Sequence, residues 1–433
     1  MLILKFTIIY EIIPVCYVRV YISNYLTPVP KDTNMKICLV NDFFPPKVTG
    51  GTELFLKALY DYLKKEGFVV FLITQTSVTG NTGFKTYRLN SSPINLKHMK
   101  QIPGITLPWL AFNRDLVRSL KKIYQKEKPD LLHINNLYHL SLAPLQASNK
   151  PFLLDVHDYW PVCFSKDLFK DDKGFCKQGE NWRCSFCLSK KFNFPLEPFF
   201  IPNLYIESSI KRKILARAKE VVCHSEFVRD RLKERGYSAK VVPYPYFGKE
   251  ASTNPKGKTK QLRLLFIGRV EYKKGADILL KIAETLKQNK LNFRIDLIGD
   301  GILKNTLNRK DLNIFTHGFL GDEKYEYLQK ADFLVAPSRW PEPFGMVALE
   351  AMKFSLPVIT LDTSGGLKDI VKQNRIGVVS TEKTIARDII NLYNSKNQIE
   401  LFRNNCKNIK KYDKEKVFKE YIKLFEKIYD RAQ

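Results

Sequence analysis

The sequence predicts an α/β protein of two doubly wound, Rossmann-like domains facing each other across a cleft. Two observations carry this expectation. Short apolar runs alternate with amphipathic helical stretches in two successive series, and a polar segment broken by Pro and Gly separates the series. The length agrees, because 433 residues exceed one ordinary domain and suit two of roughly 200 each. Hydrophobic residues make up 44% of the chain, enough to fill two cores and to exclude a disordered chain.

The first 34 residues stand apart. Met1 to Leu26 is apolar but carries Lys5, Glu11 and Arg19, and Pro14 interrupts it. A spanning helix wants about 20 apolar residues with few charges, so this is a poor one. Met35 opens a more convincing start, MKICLVNDFFPP, that reads as a buried first strand. Residues 1–34 are therefore expected to be an N-terminal extension without fixed structure, with a weak membrane anchor as the alternative. No secretory signal with a small-residue cleavage site is visible, which predicts a cytoplasmic protein.

The first domain is expected over 35–245, with strands at 36–41, 68–74, 130–135, 151–157, 220–225 and 240–244. A helix over 52–65 places Leu54, Phe55, Ala58, Leu59, Tyr62 and Leu63 on one face, with Thr52 as its cap and Gly67 as its stop. The linker is expected at 246–261. The second domain, 262–412, carries strands at 262–268, 293–299, 314–318, 333–337, 357–361 and 376–379. A C-terminal helix follows over 413–433, within a charged helical pair at 396–430 whose packing positions are Phe402, Tyr421, Leu424 and Phe425. Ligands of such sheets bind outside the carboxyl ends of the strands, so chemistry is expected in the cleft.

Lys plus Arg number 71 against 44 Asp plus Glu, a net charge of +27. That excess suits phosphorylated substrates, an anionic membrane face or nucleic acid, or is a general Lys-rich surface. Nucleic acid is disfavoured: there is no zinc-finger spacing, no RNP-like aromatic string and no uninterrupted basic arm.

In the second half, FIGRVEYKKG places Arg269 and Lys274 at the carboxyl end of a strand, where two cations can hold a diphosphate and stabilise it as it leaves. PSRWPEPFGMVALEAM is more specific. Pro341 and Pro343 hold an extended loop, and a helix is expected to begin near Phe344. Its first N–H groups, around Gly345, Met346 and Val347, suit phosphate. Glu342 precedes the helix and Glu350 lies inside it. Two acceptor-only carboxylates can take sugar and ribose hydroxyls.

In the first half, Gly50 and Gly51 precede the first helix and let backbone approach a ligand. DVHDYW ends a strand with His157 and Asp158 at the crevice, and His133 occupies another strand end. Cys163, Cys176, Cys184 and Cys187 fall within one polar loop; four thiolates suit a tetrahedral structural zinc, with an iron–sulfur cluster or unligated thiols as alternatives. After them, Phe192, Phe194, Phe199 and Phe200 mix with Lys190, Lys191, Lys211, Arg212 and Lys213. This suits an anionic membrane surface and a lipid-linked acceptor, or a packed helix with a solvated basic face.

Over about 35–415 the chain resembles glycosyltransferase family 4, retaining enzymes of the GT-B fold. Glu342 and Glu350 match its E-x7-E pattern, and Arg269 and Lys274 match its strand-end cations. IGDG at 298–301, HGFL at 317–320 and GG at 365–366 also match. Phe354 and Ser355 depart from it where a small residue and Gly are usual. The resemblance implies a retaining hexosyltransferase-like enzyme that uses a UDP-, GDP- or ADP-sugar and a glycan or lipid-linked acceptor. It implies no cofactor required for catalysis, and a site for His157 beside the transferred sugar. A cell-envelope role, peripheral at the inner membrane face, fits that reading. Two other classes stay open: a nucleotide-sugar epimerase on the same fold, and a non-catalytic anion- or membrane-binding protein.

Overall fold

The computed structural model describes residues 21–22, 35–48, 50–90, 114–170, 174–192, 197–249 and 261–431. Its strands are β1 (Tyr21–Ile22), β2 (Lys36–Val40), β3 (Val69–Gln75), β4 (Thr86–Leu89), β5 (Leu131–Ile134), β6 (Phe152–Val156), β7 (Phe169–Lys170), β8 (Gly174–Phe175), β9 (Glu220–Cys223) and β10 (Lys240–Val241) in the first half. The second half holds β11 (Leu262–Ile267), β12 (Phe293–Ile298), β13 (Ile314–Gly318), β14 (Phe333–Ala336), β15 (Val358–Leu361) and β16 (Gly377–Ser380). All twelve expected strands are present within one or two residues, apart from the shorter β10. The sequence reading missed β4 and the hairpin of β7 and β8.

The first sheet runs β1-β4-β3-β2-β5-β6-β9-β10, parallel throughout except for β1, which pairs antiparallel with β4 through Tyr21 and Arg88. Part of the expected unstructured extension therefore caps the sheet edge, and its remaining residues lie outside the described ones. The second sheet is all parallel, in the order β13-β12-β11-β14-β15-β16. Strand order reverses between β2 and β5 in the first sheet and between β11 and β14 in the second. Loops leaving those adjacent strands diverge to opposite faces and leave a crevice.

The helix Gly51–Lys65 buries Phe55, Leu56, Leu59 and Leu63 on the first sheet. It begins one residue earlier than expected, with Gly50 at its cap and Thr52 inside its first turn. The expected cap at Thr52 is thus displaced; its hydroxyl sits 3.5 Å from that of Tyr244.

The C-terminal helix, Lys414–Asp430, follows the second domain in sequence but packs on the first. Tyr421 donates to Asp155 of β6 at 2.8 Å, Phe425 meets the His133 ring, and Lys427 pairs with Glu220. Its apolar stripe of Val417, Phe418, Tyr421, Leu424, Phe425 and Ile428 is buried there. The period-3.6 pattern dictates a buried face, while the strap across both domains emerges only in three dimensions.

Candidate active site

Three chain segments meet at the β11/β14 reversal. After β11 the chain turns through Arg269 into a short helical turn, Tyr272–Lys274. After β14 it runs extended through Pro341 and Pro343 into the helix Met346–Lys353. After β15 it turns at Gly365 into the helix Gly366–Asn374.

Lys274 and Glu342 form an ion pair at 2.9 Å, with side chains only 17% and 13% exposed. Trp340 lies under the ammonium, its ring centroid 4.8 Å away. Arg269 reaches Glu271 at 3.2 Å but keeps 61% of its side chain exposed, so its guanidinium is open to a ligand. Glu350 accepts from Lys324 at 2.6 Å. The structure thus pairs Lys274 with Glu342, and pairs Glu350 with Lys324, which sequence reading did not single out.

Two glycines shape the loop. Gly345 caps the helix at φ 107, and a Cβ there would stand 2.7 Å from that of Leu367. Phe344 is buried and precedes the helix, which starts two residues later than expected. Gly365 holds φ 57 and ψ −128, and a Cβ would meet the Glu342 carbonyl oxygen and the Pro341 carbonyl carbon at 2.8 Å each. The Gly366 N–H donates to the same Glu342 carbonyl at 2.7 Å. The GG step thus carries the Glu342 backbone.

Arg339, only 9% exposed, is a structural member of the loop. Its fork engages Asp277 at 2.6 and 2.8 Å and Glu382 at 2.7 and 3.0 Å, over the Tyr272 ring. Burial opposes the charge, and these hydrogen bonds outweigh it and raise the guanidinium pKa.

The first domain closes on this loop. Tyr159 donates to the Pro341 carbonyl at 2.7 Å and Ser225 to that of Pro343 at 2.6 Å. Lys273 pairs with Asp167 at 2.7 Å, and Trp340 donates to the Asp167 carbonyl. Gly51 faces Met346, where a Cβ would come 3.5 Å from its side chain, and the space beside Gly50 is open. Tyr159 and Asp167 lie in loops with no periodic signal, and Ser225 ends an expected strand and caps the helix Glu226–Lys233, so sequence reading could not select their partners.

Asp158 lies beside this seam and accepts from the Trp160 N–H at 2.7 Å. Burial pushes its carboxyl up to about 7, against the pull of that N–H and of Lys166. His157 behaves differently. Its side chain is fully buried, Nε2 meets Asn135 Oδ1 at 2.7 Å, and Nδ1 contacts Tyr244 and His224. Burial drives it down to about 3. It therefore presents no ring nitrogen to the cleft, contrary to the expected catalytic role, because β6 points Asp155 and His157 to the same inward face. His133 is likewise buried, 3.0 Å from Asp155.

The four cysteines line one cavity of about 30 Å³, between the β7–β8 hairpin and the helix Cys184–Phe192. Cys184 accepts from the Asn181 N–H at 3.4 Å. Among the described residues, the group of three metal-competent side chains converging within 4.8 Å is Asp155, His157 and His224, and the four cysteines do not belong to it. The ligands span a turn, a hairpin and a helix, and spacing alone does not close them.

In the aromatic–basic segment, Phe194 lies outside the described residues, and the side chains of Lys191, Phe192, Phe199 and Phe200 are not described. Lys211, expected on a basic face, is buried instead and bonds the Trp160 carbonyl and Glu180. Among the described residues no helix is long and apolar enough to cross a membrane.

Two family profiles match successive stretches of the chain: Glycosyltransferase Family 4 over residues 49–245 and Glycosyl transferases group 1 over 249–425. The chain is a group 1 glycosyltransferase. A 42.6 kDa protein of the Klebsiella pneumoniae cps region is 26% identical over 356 residues, covering 78% of this chain and 87% of the relative. A Methanocaldococcus jannaschii glycosyltransferase is 25% identical over 366 residues, covering 79% and 84%. Sucrose-phosphate synthase of Thermosynechococcus elongatus superposes with a TM-score of 0.65 at 17% identity, covering 92% of this chain and all of that one. Anabaena HepE, in complex with UDP-glucose, gives 0.62 at 16%, covering 91% and 100%. Both likenesses bear on the fold, and this glycosyltransferase has the two facing Rossmann-like domains of GT-B.

Proposed function

We propose that this glycosyltransferase moves a hexosyl group, with retention, from a nucleoside-diphosphate sugar to a glycan or lipid-linked acceptor. The Lys274–Glu342 pair at 2.9 Å, beside the helix that starts at Met346, carries the reading. Lys274 and the exposed Arg269 stabilise the departing diphosphate, and the helix N–H groups take its oxygens. Glu342 and Glu350 accept donor hydroxyls, with Lys324 orienting Glu350. A diphosphate leaves without a strong acid, so these carboxylates bind rather than attack. Asp158 is the acceptor-side carboxylate, and His157 acts as a positioning residue behind it.

No cofactor is needed for this chemistry. HepE's complex with UDP-glucose makes UDP-sugars the first donors to try, ahead of GDP- and ADP-sugars. The reaction is placed in the cytoplasm, peripheral to the inner membrane face, where a basic chain meets anionic lipid. Glu342→Ala and Lys274→Ala should each abolish transfer while leaving the thermal melt within a few degrees of wild type. Near-normal turnover in both would sink the assignment. Conversion of the donor to its epimer, without hydrolysis or transfer, would favour the epimerase reading instead.

A further inference from the structure

Below the cleft, on the inward face of the first sheet, lies a polar cluster of which the proposed transfer uses only His157, as a positioning residue. It joins His133 (β5), Asp155 (β6), His157 after β6, His224 after β9, Tyr244 before the linker and Tyr421 of the C-terminal helix. All six are buried. Phe55 closes it from the helix side, with ring contacts to His157, His224, Tyr244 and Tyr421.

The hydrogen bonds fix which ring nitrogen of His157 and of His224 carries a proton. Asn135 gives its amide hydrogens to the carbonyls of Val40 and His133, at 3.2 Å each, so its oxygen must be the acceptor facing His157. His157 is therefore protonated on Nε2, and its Nδ1 carries a lone pair. His224 Nδ1 faces the Val242 carbonyl at 2.8 Å and must carry a proton there. Its Nε2 is then the free position. Asp155 Oδ2 accepts from Tyr421 at 2.8 Å and lies 3.0 Å from His133 Nε2, whereas Oδ1 is buried with no hydrogen-bond partner.

Three lone pairs consequently converge: Asp155 Oδ1, His157 Nδ1 and His224 Nε2. His224 Nε2 stands 3.0 Å from His157 Nδ1 and 3.1 Å from Asp155 Oδ1. The Tyr244 hydroxyl can donate to His157 Nδ1, but Asp155 Oδ1 and His224 Nε2 face each other at 3.1 Å with no proton assigned between them, in a buried site where unpaired polar atoms are costly. One extra proton on His224 relieves this only in part. The hydrogen-bond geometry aims it at His157 Nδ1, whose single lone pair is also claimed by the Tyr244 hydroxyl, and Asp155 Oδ1 stays unpartnered.

We propose that Asp155, His157 and His224 hold a divalent metal ion of the zinc class, with the Tyr244 hydroxyl as neighbouring oxygen. A cation satisfies all three lone pairs at once. Ligand separations of 3.0 and 3.1 Å leave room for an ion about 2.0–2.2 Å from each, the ordinary zinc–nitrogen and zinc–oxygen range. The outer contacts are those that metal-bound imidazoles and carboxylates require: each histidine gives its other N–H to an oxygen, and Asp155 receives Tyr421. Enclosure and the absence of an open face make the ion structural. It ties β6 and β9 to Tyr244 at the linker and, through Asp155, to the strap helix.

The test uses the full chain without a polyhistidine tag, grown with zinc and desalted. Elemental analysis should find about one equivalent of metal in wild type and less than a tenth in folded His224→Gln and Asp155→Asn. X-ray absorption at the metal edge of wild type, which needs no variant to fold, should show nitrogen and oxygen neighbours at about 2.0–2.2 Å and no sulfur. Metal-free wild type overturns the proposal. A sulfur shell also overturns it and moves the ion to the cysteine cavity. Equal metal in wild type and folded His224→Gln refutes it directly. Each outcome is read from metal content or the metal's neighbours and not from activity, so failure of the metal site and failure of the proposed transfer are told apart.

Discussion

Replacing Gly365 with alanine tests whether the backbone of the GG step, more than any side chain, positions the donor carboxylate. At φ 57 and ψ −128, a conformation glycine adopts freely, alanine costs on the order of 1–3 kcal/mol from backbone strain alone. Its Cβ would also lie 2.8 Å from two backbone atoms, the Glu342 oxygen and the Pro341 carbon, and 2.9 Å from the Glu342 nitrogen. Backbone cannot swing aside as a long side chain can. The loop must therefore shift by several tenths of an ångström, carrying Glu342 away from Lys274. The combined effect is about 2–4 kcal/mol. For a domain of this size each kcal/mol lowers Tm by roughly 2–4 °C. Differential scanning calorimetry should show a fall of about 5–15 °C, and steady-state transfer assays a loss of at least about tenfold in kcat/KM for the donor. A Gly365→Ala enzyme with wild-type Tm and wild-type donor KM would refute the argument.

Two further outcomes follow from buried charges. Arg339→Lys keeps the charge but loses the fork that engages both Asp277 and Glu382; it should cost about 2 kcal/mol, and a melting shift below about 2 °C would count against it. Glu127 is 2% exposed between Lys36, Lys85 and Tyr87. Burial alone would raise its carboxyl, but those hydrogen bonds outweigh it and bring it from 4.5 to about 2. A depressed folded-state pKa gives stability that is present above about pH 4.5 and lost as pH falls toward 2, worth about 3 kcal/mol at neutral pH. Glu127→Gln should remove that contribution, and acid unfolding curves of the two proteins should converge near pH 2. Parallel curves would refute it.

Much of the donor side was legible in sequence because its chemistry is local. Arg269 and Lys274 leave one strand, and Glu342, Gly345 and Glu350 sit on one loop and helix, so short spacing nearly determines their relation. Period-2 and period-3.6 patterns likewise located twelve strands, since burial of a face is a property of neighbours in the chain. The interdomain seam obeys no such rule. Tyr159 and Ser225 find the carbonyls of Pro341 and Pro343 across more than a hundred residues, and no local pattern announces that.

His157 marks the boundary most clearly. Sequence placed it at the end of a cleft-facing strand, which it occupies, and the family resemblance implied that its ring faces the sugar. Strand alternation sets Asp155 and His157 on one face, but which face is inward depends on what covers it. The cover is Phe55 and the returning strap helix with Tyr421, and that packing exists only once the second domain has been crossed and the chain has come back. The amino-acid order by itself determined two Rossmann-like domains and the cations and carboxylates of the donor crevice. Tertiary structure alone decided that three lone pairs meet beneath it, because long-range packing sets the direction in which a side chain points.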